Sequence, residues 1–141
     1  MYSATTQIRV RYGETDQMGY LYYGYYAFYY EVGRAEAIRE LGFTYRQLEE
    51  MGVMMPVVEL RSQYYRPALY DDLVTVKTIL KEFPTEPAIS FHSELYNEQG
   101  VFLNKGVTTL VFYDPKEKKK ILMPEPLKIR LEPFFRKETN E

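Results

Sequence analysis

Asp16 sits in the stretch ETDQMGYLYYGYYAFYYEVGR, Glu14 to Arg34, directly ahead of a run in which Tyr20, Tyr22, Tyr23, Tyr25, Tyr26, Tyr29 and Tyr30 are all tyrosine. A carboxylate can attack an electron-poor carbonyl carbon or activate water, provided that something steadies the charge growing on the carbonyl oxygen. The start of a helix supplies this: its first N–H groups are unpaired, and it carries about half a unit of positive charge. If Tyr23 and Gly24 open a helix, their amides are free to hold an oxyanion, and the loop bearing Asp16 can fold back to that end. Gly19 permits a left-handed turn within the loop, and Gly24 lets a ligand approach backbone closely. Simpler roles exist for the same residues. An Asp before a helix also serves as a cap or Asx-turn residue, and a tyrosine-rich helix serves as a core element whose hydroxyls reach the rim.

Other chemistries have few residues to draw on. The 141-residue chain has no cysteine, which rules out disulfides, thiolate nucleophiles and sulfur-bound metals. One histidine, His92, cannot build a multi-histidine metal site, and no Walker or EF-hand spacing occurs. A mechanism without metal or nucleotide cofactor is the simplest expectation. A net charge of -2 offers nucleic acid no clustered cations. No apolar run is long enough to span a membrane, and the first residues lack a secretory signal, so a cytoplasmic protein is expected.

The elements that must position Asp16 follow from periodicity. Ile8, Val10 and Tyr12 alternate with polar residues as a half-buried strand does, ending at Gly13. A helix is predicted from about Tyr23 to Leu41, stopped by Gly42. Its apolar arc, which includes Tyr26, Phe28, Tyr30, Val32, Ala37 and Ile38, leaves only Glu36, Arg39 and Glu40 as a polar strip, so the helix should be largely surrounded. A shorter helix, Thr44 to Met51, follows. Period-two patterns then mark four strands around Val58–Tyr64, Val74–Leu80, Ile89–Leu95 and Val101–Val111, with turn-like connections suggesting successive hairpins. The segment from Pro124 to Leu131 suits a short helix or an edge segment. A charged, frayed tail is expected from about Glu132.

These elements imply one α+β domain spanning 1–141, in which an antiparallel sheet of five strands wraps around a long central helix. Four further features stand out within it. Glu31 and Arg34 fall in the apolar arc and need partners, either in an ion pair tied to strand backbone or another subunit, or in substrate. His92 shares a face with Ser90 and Glu94, opposite Ile89 and Phe91, and is expected at the surface. Gly106 implies a bulge or a close approach by another group. The KEKKK run after Pro115 suits a solvated hairpin end.

Two longer stretches, RYGETDQMGYLYYGYYAFYYEVGR and PVVELRSQYYRPALYDDLVTV, resemble hotdog-fold acyl-CoA thioesterases of the 4-hydroxybenzoyl-CoA thioesterase family, including its Tol-Pal-associated branch. The resemblance runs from about Ile8 to Met123. It implies a hotdog fold, thioester hydrolysis without a cofactor, and a homodimer or homotetramer whose sites lie between subunits. It also implies that Asp16 is the catalytic nucleophile or base, that the Tyr23 amide polarises the thioester carbonyl, and that Tyr26 lines the acyl pocket. Gly24 would add a second amide. Among the cations, Arg61, Arg66, Lys77 and Lys81 suit the phosphates of CoA.

Relatives usually carry histidine where this chain has Tyr23. The backbone contact survives that change, but a phenol with a pKa of about 10 cannot replace a near-neutral imidazole. Slower or differently tuned turnover is expected. The crowded tyrosines favour a broad, flat or aromatic acyl group. The alternative is a non-catalytic acyl-thioester-binding or scaffold protein of the same fold; a hotdog dehydratase would need a histidine beside the carboxylate, and His92 is far from Asp16 in sequence.

Overall fold

The computed structural model describes residues 1–136. Its elements, in chain order, are β1 (Tyr2–Arg9), α1 (Tyr26–Glu40), α2 (Tyr45–Glu50), β2 (Val57–Tyr64), β3 (Leu73–Leu80), β4 (Ala88–Tyr96), β5 (Phe102–Val111), the short pair β6 (Tyr113–Asp114) and β7 (Lys119–Lys120), and α3 (Glu125–Leu131). Single 3-10 turns lie at Tyr12–Glu14, Tyr23–Tyr25 and Glu132–Phe134.

The five long strands form one antiparallel sheet in the order β1-β3-β4-β5-β2. The hairpin expectation holds for β3–β4 and β4–β5 but not for β2–β3. Strand β2 pairs with β5 at one edge, and the chain then crosses to place β3 between β1 and β4. Alternation records which face of a strand is buried, not which strand lies beside it. Burial separates the two cases: β3 has its inward residues Val74, Val76 and Thr78 buried, whereas β2 is exposed along nearly all its length. Strand β1 also begins earlier than Ile8, because pairing of Tyr2 with Leu80 through Arg9 with Leu73 holds the threonine-rich start extended.

Helix α1 lies on the sheet through Tyr26, Tyr29, Tyr30, Gly33, Arg34, Ala37 and Ile38, one stripe at helical spacing. It is not surrounded: Phe28 is 60% and Val32 41% exposed, and Glu31 is also exposed. A sheet on one side covers only one face of a helix, so these apolar residues are left exposed among the described residues. The contact with the sheet is close. A β-carbon at Gly33 would come within 2.5 Å of the Thr78 hydroxyl and 2.7 Å of Val76, so only glycine lets the helix approach β3 this closely.

Gly106 is likewise a close approach and not a bulge, since an added β-carbon would collide with the ring of Tyr30. The Tyr30 hydroxyl bonds Ser62 Oγ at 2.7 Å and donates to Asn104 Oδ1, while Asn104 Nδ2 donates to Ser62 Oγ at 3.1 Å. This closed cluster pairs buried polar side chains from three elements.

The core has two parts. One contains Tyr26, Tyr29, Tyr30, Val74, Val76, Leu95 and Leu103; the other contains Ala37, Ile38, Leu48, Phe91, Leu110, Phe112, Leu127 and Leu131. Helix α2 is capped by Thr44, with Thr44 Oγ1 accepting from Gln47 N and Gln47 Oε1 accepting from Thr44 N. The lysine run forms the β6–β7 hairpin end. Phe134 and Phe135, assigned from sequence to a charged tail, pack edge-on against Tyr2 and Phe83, and the Met1 ammonium donates to Phe134 O at 2.6 Å. The rest of that tail, 137–141, lies outside the described residues. Among the described residues, no helix is long and apolar enough to cross a membrane.

Candidate active site

The loop carrying Asp16 folds back on itself. Asp16 N donates to Tyr20 O at 2.9 Å, Gly19 N donates to Asp16 O at 3.0 Å, and Thr15 bridges Leu21. Gly19 has φ +77°, the left-handed conformation its position demands. The Asp16 side chain is part of the same turn, its Oδ1 accepting from Met18 N at 2.9 Å and from Tyr20 N at 3.2 Å. The Asx-turn reading therefore holds. It leaves Oδ2 without a hydrogen bond among the described residues, on an exposed residue that lines a concavity of about 310 Å³.

The helix head faces that concavity through Tyr23. The 3-10 turn has Tyr22 as its N-cap, without a side-chain cap, and its first bond runs from Tyr25 N to Tyr22 O. The Tyr23 and Gly24 amides precede that bond, so no carbonyl within the helix is available to them. Tyr64 Oη donates to Tyr23 O at 3.0 Å, fixing the peptide plane that follows. Tyr23 is 65% exposed and its ring lies 4.5 Å from that of Tyr22.

Tyr26, Tyr64, Tyr20 and Arg66 also line the concavity. Tyr26 is buried, accepts from Ala68 N at 3.4 Å, and meets Tyr64 edge to face at 5.0 Å. Burial pushes its phenol upward, so it serves as a neutral wall.

One charged residue was missed by sequence reasoning. Glu14 is buried, its Oε1 accepting from Arg11 N at 3.1 Å and from Tyr29 Oη at 2.9 Å, and its Oε2 from Arg11 Nη2 at 3.2 Å. Burial alone would raise its pKa, but the Arg11 amide, the Tyr29 hydroxyl and the Arg11 guanidinium together hold it below the usual carboxylate range. Burial and the facing carboxylate push Tyr29 well above the ordinary phenol range. The available signal was an acid three residues after Arg11 that bounds a turn, a pattern too common to single out.

Other candidates lie elsewhere within one chain. Glu31 borders a second concavity with Phe28, Val32, Arg9 and Arg11. It forms no ion pair with Arg34, whose buried Nε and Nη1 have no hydrogen-bond partner among the described residues. Arg61 lies on the outer sheet face, with its Nε 2.6 Å from Glu59 Oε1, beside a trough that includes Lys81, His92 and Lys105. Of the cations proposed for CoA, only Arg66 reaches the Asp16 concavity. His92 is on the outer face as expected, its pKa lowered by partial burial and by Lys81. Among the described residues, no group of three or more His, Asp and Glu is arranged to hold a metal.

Comparison with known proteins identifies the family. The profile described as the thioesterase-like superfamily matches residues 10–131. The YneP protein of Bacillus subtilis (strain 168), provisionally named an acyl-CoA thioesterase, is 33% identical over 86% of this chain and 87% of its own. The acyl-CoA thioesterase YbgC of Haemophilus influenzae is 30% identical over 86% of this chain and 88% of its own. A solved structure of a DHNA-CoA thioesterase from Staphylococcus aureus superposes with a TM-score of 0.81 at 32% identity, covering 96% of this chain and 85% of that one. With a carboxylate loop and an uncapped helix head on one concavity, a five-stranded sheet carrying one long helix, and a profile match over most of its length, this chain belongs to the thioesterase-like superfamily of hotdog proteins.

Proposed function

We propose that the protein hydrolyses acyl-CoA thioesters to a carboxylic acid and free CoA, with Asp16 as nucleophile or general base and the Tyr23 and Gly24 amides as oxyanion donors. The observation that carries this reading is that Asp16, with Oδ2 uncommitted, and Tyr23 at an uncapped helix start line the same concavity. The related proteins named as acyl-CoA thioesterases support the reaction class.

The thioester oxygen would lie against the two amides, where charge developing on it meets fixed donors and the positive end of the helix. Attack by Asp16 on the carbonyl carbon gives a mixed anhydride as the C–S bond breaks and the sulfur leaves with the electron pair; water then cleaves the anhydride and restores the carboxylate. In the general-base route, Asp16 takes a proton from water, which attacks directly. Both routes consume one water and yield the acid and the thiol.

The acyl group would be flat or aromatic, since Tyr20, Tyr23, Tyr26 and Tyr64 surround the concavity, and the similar S. aureus structure is named for an aryl thioester. Arg66 is the residue here best placed for a CoA phosphate; Tyr26 is part of the acyl wall. Assembly belongs to the same reading. Strand β2 is a sheet edge with Val57, Val58, Leu60 and Tyr64 all exposed, a surface that pairing with a second copy would cover. A homodimer formed in this way, or a homotetramer of two such dimers covering Phe28 and Val32, would bring the second copy's residues toward the site. Glu31 and Arg61 would then contact substrate from across the interface. The cytoplasmic location and the Tol-Pal-associated branch rest on the sequence expectations.

Replacing Asp16 by Asn and following CoA release from 4-hydroxybenzoyl-CoA and hexanoyl-CoA tests the reading. Turnover should fall about 10²- to 10⁴-fold with binding of the thioester kept. A wild-type protein that binds both compounds and releases CoA from neither would instead be a binding module.

A further inference from the structure

Glu14 is a buried carboxylate two residues from Asp16 that the mechanism does not use. Its contacts run in two directions. The carboxylate accepts from Tyr29 on the inner face of α1 and from Arg11 at the start of the loop. Its backbone carbonyl accepts from Tyr22 N at 2.9 Å, and Tyr22 is the residue immediately before the Tyr23 and Gly24 amides. Two residues further along the chain is Asp16. One residue therefore joins the carboxylate loop, the helix head and the first turn of α1.

We propose that Glu14 is a positioning residue, which uses Tyr29 as its anchor to fix the Asp16 loop relative to the Tyr23 and Gly24 amides. This rests on the Asp16 reading given above. Bonds within the loop, such as Asp16 N to Tyr20 O and Gly19 N to Asp16 O, fix its shape but not its place on the helix. The Thr15–Leu21 bridge closes the loop on itself, and the Tyr20–Leu69 bridge, Leu21 N donating to Ala68 O at 2.8 Å and Tyr70 N donating to Gly19 O at 2.9 Å tie it to the neighbouring loop. The side-chain tie to α1 runs through Glu14 and Tyr29. Tyr29 is 1% exposed, so its hydroxyl has no water to turn to and is directed at the carboxylate. Loss of this bond lets the loop shift by fractions of an ångström while the fold remains, and reacting groups misplaced on that scale lose rate more than affinity.

The predicted signature is a split between rate and binding. Tyr29→Phe keeps the ring and removes only the anchor; Glu14→Gln keeps the shape and one acceptor oxygen. With 4-hydroxybenzoyl-CoA as the probe, each should lower kcat about tenfold or more, with KM changed less than about twofold and the folded fraction at assay temperature unchanged. The double variant should be no slower than the slower single one, because both changes cut the same tie. Rates proportional to the folded fraction, a rise in KM at constant kcat, or additive losses would each overturn the proposal. Asp16→Asn, measured alongside, separates the two ideas. If it retains wild-type turnover, the Asp16 reading fails; if it is inactive while Tyr29→Phe is as fast as wild type, the positioning role alone fails.

Discussion

The two ends of helix α1 are buried by different means. At its N-terminal end the helix buries Tyr26, Tyr29 and Tyr30, and each hydroxyl has a specific partner: Ala68 N, the Glu14 carboxylate, and the Ser62–Asn104 pair. At its C-terminal end it buries Ala37, Ile38 and Leu41 among Leu48, Phe112, Leu127 and Leu131, side chains without polar atoms. Apolar contacts are non-directional and stabilise roughly in proportion to area, whereas a buried hydrogen bond adds little net stability but fixes an orientation. The aliphatic end therefore supplies stability, and the tyrosine end supplies position. The candidate site is at the tyrosine end.

The contrast is open to measurement. The largest stability effect should come from the aliphatic end. Leu131→Ala removes a fully buried side chain and should cost about 2–5 kcal/mol in denaturant unfolding, with kcat per folded molecule unchanged. A matching loss of kcat would mean that the two ends are not separable. A smaller cost is expected for Tyr30→Phe, about 1–3 kcal/mol, because Asn104 Oδ1 loses its phenol donor in a buried setting while Ser62 stays paired to Asn104 Nδ2. Here the informative result is a fall in kcat out of proportion to stability.

The smallest effect is a pH dependence. The folded pKa of Glu14 lies below its unfolded value, so its contribution to stability is complete above the unfolded carboxylate value of about 4.3 and is lost as pH falls through the folded one. Acid unfolding of the wild type should accordingly be steeper over that range than that of Glu14→Gln. Identical acid limbs would show that Glu14 is not held as its contacts indicate.

Much of this arrangement was legible in the residues. The alternation from Val74 through Val111, the glycine after α1 and the turn residues before each strand gave the elements, because burial of one face leaves a period that any reader can count. Asp16, Gly19 and the uncapped helix start were legible as a local motif for the same reason, since their geometry is set within a few residues. Glu14 was not, because its partner Tyr29 is fifteen residues away and is chosen by how the loop returns to the helix. Gly106 showed only that something came close; that the visitor is Tyr30 depends on where α1 crosses β5. The exposure of Phe28 and Val32 was misjudged because hydrophobicity says that a side chain prefers cover, not that one chain provides it.

By itself, the sequence determined the strands, the long helix and the local turn that presents a carboxylate ahead of free amides, all of them consequences of short-range sterics and periodic burial. The tertiary structure decided that β2 lies at the edge and β3 in the interior, that Arg66 and not Arg61 borders the Asp16 concavity, and that a buried acid ties the loop to the helix. These depend on distances between residues far apart in the chain, which are fixed only when the sheet closes on the helix and buried groups such as the Tyr29 hydroxyl meet their partners.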